Sequence, residues 1–118
     1  MKIVLDANFL IDLIRYGIRL EELKGNELFT LDLVLKELEK ISQRKTKEAS
    51  LANIASGVFK KSDVKILKSK KRYTDLELLR LAKEGYAIAT HDRSLKSKIK
   101  KVGGETIFIR QKKYFMRE

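Results

Sequence analysis

The stretch IVLDANFLIDL, residues 3 to 13, decides how the fold is read. Three aliphatic residues run straight into Asp6, with no polar alternation. Such a run suits a strand covered on both faces, as central strands of parallel sheets are. The charge at its end then marks the carboxyl edge of the sheet, and a helix follows over 7–16, ending near Gly17. A second acid, Asp12, lies six residues beyond Asp6, a little under two helical turns away. It should therefore point away from that edge, as surface or in a local ion pair.

Working outward, a helical turn over 19–24 ends at Gly25, and ELFTL (27–31) reads as a strand. Residues 32–43 form a helix with Asp32 as its N-cap, 46–60 a further helical stretch, and VKIL (64–67) a short strand. Thr74 caps a helix over 75–84, with Glu77 completing a capping box and Gly85 ending it. YAIAT (86–90) is a strand, 92–102 a basic helix, Gly103-Gly104 a turn and ETIFI (105–109) a last strand. Strands alternating with helices predict an α/β fold, a three-layer α/β/α sandwich around a central parallel sheet of four to five strands. No proline, linker or repeat interrupts the chain, so residues 1–118 read as a single domain. Residues 110–118 form a basic tail, frayed in the simplest reading, although Tyr114 and Phe115 favour docking.

Composition narrows the chemistry. The 118 residues contain no cysteine, which excludes disulfides, thiolate zinc sites and a cysteine nucleophile; one histidine excludes two-histidine zinc motifs. No apolar run approaches the length of a membrane span. The N-terminus lacks the marks of a signal peptide, and cytoplasmic residence is the expectation. The net charge is +11, and its distribution is lopsided. Residues 1–59 carry nine basic and nine acidic side chains, whereas residues 60–118 carry 18 and seven. The asymmetry suggests a polyanion as partner; a solvated, lysine-rich surface is the alternative.

Four acids stand out by position. Glu37 lies four residues from both Leu33 and Ile41, inside the apolar arc of its helix, while Glu39 falls outside. Asp75 lies on the face marked by Leu78, Leu79 and Ala82, with Glu77 pointing the opposite way. Asp6 closes one strand, and Asp92 follows another by two residues. Sites in open parallel sheets form beyond the carboxyl ends of the strands. Four carboxylates at one such rim would repel unless a cation lay between them, and oxygen ligands select Mg²⁺ or Mn²⁺. Taken singly, each acid also fits a helix cap or a lysine partner.

In order along the chain, LDAN (Asp6), VLKELEKI (Glu37), YTDLELLRLA (Asp75) and ATHDRSL (Thr90, Asp92) resemble the PIN domain nucleases. LDANFLIDL, YAIATHDRSLKSKIKKVGGETIFIR and the tail KKYF are most similar to the ribosomal RNA-processing branch and its archaeal, VapC-type relatives. The resemblance implies a ribonuclease in which Asp6, Glu37, Asp75 and Asp92 hold one or two Mg²⁺ or Mn²⁺ ions. Asn8 and Thr90 would orient a carboxylate or a bound water; a helix cap and a strand-end hydroxyl are their plainer roles. His91 is either a general base or an incidental exposed residue. Lys70, Lys71, Arg72, Arg93 and Lys96 would grip the RNA backbone, Arg93 foremost, and Tyr73 would stack on a base or pack on the sheet. The implied partners are RNA, such as a ribosomal precursor, an antitoxin protein, or a second copy in a homodimer, with no membrane. Two other classes compete: a catalytically silent RNA-binding or ribosome-assembly module, and a flavodoxin-like regulatory domain, whose early acidic pair and late lysine are not evident.

Overall fold

The computed structural model describes every residue except Lys24, so the last residue of the 19–24 turn lies outside the described residues. Strand β1 (Lys2–Leu5) leads into helix α1 (Ala7–Arg15), then a 3₁₀ turn (Leu20–Leu23) and β2 (Glu27–Leu31). Helices α2 (Asp32–Ser42) and α3 (Lys47–Lys60) precede β3 (Lys65–Leu67), and α4 (Thr74–Lys83) precedes β4 (Ala87–Ala89). Helix α5 (Arg93–Lys101), β5 (Thr106–Arg110) and β6 (Tyr114–Arg117) complete the chain.

The six strands form one sheet in the order β3-β2-β1-β4-β5-β6. β1 is central, and Ile3, Val4 and Leu5 are at most 1% exposed, which is why this strand tolerates no polar alternation. The chain winds from β1 out through β2 to β3, then returns to the other side of β1 with β4. Right-handed crossovers running in opposite directions place their helices on opposite faces. Accordingly α1, α2 and α3 pack together, while α4 packs with α5 and β4. The three-layer α/β/α architecture is as expected. The reversal of strand order falls between β1 and β4, where open α/β sheets form their binding crevices.

The C-terminus is docked rather than frayed, as Tyr114 and Phe115 favoured, and it docks as a strand that the sequence reading did not include. β6 pairs antiparallel with β5, from Ile107 opposite Arg117 to Arg110 opposite Tyr114. Phe115 stacks on Phe9 of α1 with ring centroids 5.8 Å apart, so apolar contact anchors the added strand. The connecting turn holds Gln111 and Lys112 at positive φ. Neither is a residue that favours that conformation, so QKK carries no hairpin signal. The sheet is therefore mixed and six-stranded, five strands being parallel.

The Gly103-Gly104 turn has two physical requirements. Gly103 has a left-handed φ of 77°. A Cβ on Gly104 would lie 2.7 Å from Ile99 Cγ2 and 3.2 Å from the Ala82 Cβ, so only glycine lets the chain pass this close to α4 and α5.

Candidate active site

The register of the central strands builds the site. Leu5 is opposite Ala89, and the Asp6 N–H donates to the Ala89 carbonyl at 2.9 Å. Asp6 and Thr90 are thus the first residues beyond adjacent strands, at the crevice. Asp6 is the N-cap of α1, its Oδ1 accepting from the Ala7 N–H at 2.8 Å. Its Oδ2 accepts from Thr90 Oγ1, also at 2.8 Å. Thr90, fully buried, in turn accepts from the Asp92 N–H at 3.2 Å. One hydroxyl therefore ties the acid after β1 to the backbone of the acid after β4. Asp92 caps α5, accepting from the Leu95 N–H at 3.1 Å. Asn8 reaches across as well, its Oδ1 accepting from the His91 N–H at 3.1 Å.

Electrostatics bring in the other two acids. Burial pushes the Asp6 carboxyl from 3.8 up to about 6; its two hydrogen bonds oppose this, and the negative charges of Glu37 and Asp75 add to it. Glu37 is also raised, first by desolvation and then by Asp75, with Arg44 and Lys40 pulling the other way. Three of the four acids therefore feel one another's charge, and Thr90 and the chain connect the fourth. As they stand, no three acidic or histidine side chains among the described residues converge closely enough to hold a metal ion.

A profile of the PIN-like domain matches residues 3–112. The chain belongs to the PIN-like domain family. A Methanocaldococcus jannaschii protein named Ribonuclease VapC4 is 33% identical over 97% of this chain and 94% of its own length. The solved structure of the PIN domain endonuclease Utp24 superposes with a TM-score of 0.82 over 99% of this chain and 90% of that one, at 23% identity. A domain of a functionally unknown protein from the same archaeon aligns with a TM-score of 0.64 over 92% of this chain and 91% of that one, at 20% identity. At those identities the two structures show likeness of fold alone.

Within this PIN-like frame, two helix faces differ from the sequence reading. In α2 the fully buried stripe is Val34, Leu38 and Ile41; Leu33 and Leu35 are only half-buried, so Glu37 borders the stripe and is exposed. In α4 the inner face is Leu78, Leu81 and Ala82, since Leu81 rather than Leu79 turns inward. That rotation leaves Asp75 exposed and draws in Glu77, four residues before Leu81. Of the four acids expected to point inward, only Asp6 is buried.

Glu77 is the acid that sequence reasoning missed. It is fully buried, and no capping box forms at Thr74. Its Oε1 accepts from the backbone N–H groups of Lys70 and Lys71, and its Oε2 from Arg80 Nε at 2.8 Å. Burial alone would raise its pKa, but these bonds, Arg80 first, hold it below the ordinary glutamate range. Asp32 acts similarly from α2. It is the first residue of the helix rather than its N-cap, and it accepts from the Ser69 N–H at 3.1 Å and from the Ser69 hydroxyl.

His91 has neither of its expected roles. Its Nδ1 meets Asp12 Oδ2 at 2.6 Å, and its Nε2 accepts from the Ile109 N–H at 2.9 Å. Those partners assign the neutral ring with its proton on Nδ1 and occupy both nitrogens. His91 thus fastens the loop before Asp92 to α1, through Asp12, and to β5, through Ile109; Asp12 also pairs with Arg15. Among the cations, Arg93, Lys70, Lys71 and Arg72 are exposed. Lys96 differs: its ammonium lies 3.7 Å from the centroid of Phe108, a cation–π contact that occupies it.

Proposed function

We propose that this PIN-like domain is a divalent-metal-dependent endoribonuclease whose reacting centre is Asp6, Glu37, Asp75 and Asp92. The observation that carries the reading is the linkage of Asp6 through Thr90 to Asp92 at the strand-order reversal, with Asp6 coupled by charge to Glu37 and Asp75. The donor set suits a hard cation: four carboxylates and no thiolate. Glu37 and Asp75 are both exposed, so solvent rather than packing surrounds their carboxylates. When bound, Mg²⁺ or Mn²⁺ would activate water and stabilise charge on the phosphate. The protein's part is to orient Asp6 through Thr90 and the Ala7 N–H, bonds that offset part of its burial, and to guide phosphates with Arg93, Lys70, Lys71 and Arg72.

Kinship with a named ribonuclease supports RNA as the substrate, and its VapC name favours a toxin-type enzyme with an antitoxin partner over ribosomal RNA processing. The competing reading, a silent RNA-binding module, is favoured by the open spacing of the acids. Cleavage of single-stranded RNA with Mg²⁺ or Mn²⁺ decides between them. The parent chain should cleave, Asp92→Asn should not, and Glu39→Gln should match the parent; equal activity in all three sinks the site assignment. Mn²⁺ calorimetry adds a second arm, since absence of binding favours the silent module.

Two further results are expected. Thr90→Val keeps shape but removes the hydroxyl shared by Asp6 and Asp92, and cleavage should fall by about 10–100-fold. Unchanged turnover at saturating metal would show that Thr90 does not orient the site. Arg93→Gln should reduce the slope of log affinity against log salt by about 0.7, the value of one phosphate contact on a single strand. An unaltered slope would remove Arg93 from the RNA path.

A further inference from the structure

The start of α4 and the exposed edge of α2 flank a cleft of about 470 Å³, whose lining includes Lys36, Glu37, Lys40, Arg72, Tyr73 and Asp75. That volume falls within the roughly 300–1,000 Å³ of small-ligand sites. Two of its walls are Glu37 and Asp75, so whatever fills it lies beside the proposed reacting centre. The rest of its lining includes one aromatic ring and three cations. Tyr73 is 64% exposed, an uncovered aromatic ring at the rim. Lys36, Lys40 and Arg72 are exposed cations on the same cleft.

The loop carrying Tyr73 is held in place by its backbone. Asp32 accepts from Ser69, and buried Glu77 accepts from the N–H groups of Lys70 and Lys71. Those acids accept from main-chain donors, the Ser69 hydroxyl and Arg80 rather than from the loop's cationic side chains. An anchored loop presents Tyr73 at low entropic cost.

From this we propose that the cleft is a subsite for one unpaired nucleotide next to the phosphate being cut. The base stacks on Tyr73, and Arg72, Lys36 and Lys40 hold its phosphate. The proposal rests on the nuclease reading for its position and assigns the reading of an unpaired base there to Tyr73. A base inside a duplex is already stacked on its neighbours and has no free face for Tyr73, whereas a splayed base does.

The test is fluorescence anisotropy with a short labelled oligoribonucleotide and its duplex, in low salt with EDTA so that binding is read without cleavage. Tyr73→Leu should weaken single-strand binding by about tenfold, in the range of one lost base–aromatic stack. Tyr73→Phe should bind as the parent does, and duplex binding should be the same in all three. Tyr73 is exposed, so these changes leave the core untouched. The proposal is overturned by parent-like single-strand binding in Tyr73→Leu, by an equal loss for duplex, or by no measurable single-strand binding in the parent. Cleavage with Mg²⁺ or Mn²⁺ is scored separately. Tyr73-dependent binding without cleavage keeps the subsite and removes the nuclease; cleavage indifferent to Tyr73 and to pairing keeps the nuclease and removes the subsite.

Discussion

Asp6→Asn should abolish RNA cleavage while making the protein more stable. The two effects have one cause. Asp6 is 6% exposed, and burial with two acidic neighbours lifts its carboxyl from 3.8 to about 6. A native carboxyl that binds its proton more tightly than the unfolded chain does makes the native state lose stability as pH rises from about 4 to about 6. The full shift corresponds to about 3 kcal/mol at neutral pH. An asparagine escapes that cost and still caps α1, its amide oxygen accepting from Ala7. Its amide nitrogen faces Thr90 Oγ1, which must then turn its hydrogen toward Asn8 Oδ1, 3.4 Å away, a poorer bond. The net gain is therefore expected at about 1–3 kcal/mol, seen as a higher Tm at pH 7.5 in EDTA and little change at pH 4. Cleavage should drop by at least about a hundredfold, more than the loss usual for a residue that only orients a ligand. A variant that is both less stable at pH 7.5 and as active as the parent would refute the account of Asp6.

Glu77→Ala should be the most destabilising change in the chain outside its apolar core. It deletes a buried carboxylate and strands two backbone N–H groups, at Lys70 and Lys71, together with one face of Arg80. Breaking a buried charge pair costs about 3–5 kcal/mol; Arg80 keeps partial solvent and its exposed partner Glu84, so about 3 kcal/mol is expected. Glu77→Gln should fall between, because one oxygen still serves the loop while an amide N–H opposes Arg80 Nε. Urea unfolding at pH 7 reads the difference as a lower midpoint at constant m. A loss under about 0.5 kcal/mol for the alanine variant contradicts the anchoring role. The pH dependence has the opposite sign to that of Asp6. Because the Glu77 carboxyl is depressed, its contribution is present above the ordinary glutamate pKa of 4.5 and fades as pH falls below it.

Glu77 and Asp75 also show where the sequence stops being decisive. They flank Leu76 on either side, and both satisfy a helical spacing to some apolar residue. The choice between Leu79 and Leu81 as the inward position sets the phase of the helix, and a phase error of this size exchanges the buried acid for the exposed one. That choice depends on how α4 lies on β4 and α5, which local periodicity does not contain. Glu37 is a milder case: the stripe of α2 is narrower than its leucines suggest because Leu33 and Leu35 stay half-exposed.

Local pattern was enough for the order of strands and helices, the burial of β1 on both faces, and Asp6 at its carboxyl end. These follow from periodicities of two and 3.6 residues and from the charge that ends an apolar run. Only the tertiary structure decided the rest. It paired β6 with β5 through Phe115 on Phe9, across a turn with no turn residues. It turned His91 into a pin between Asp12 and the Ile109 N–H, and gave Glu77 the main chain of a loop six and seven residues upstream. Each of these is a contact between segments whose approach is set by the winding of the sheet, and the energy of satisfying a buried donor or acceptor exists only once that approach has been made.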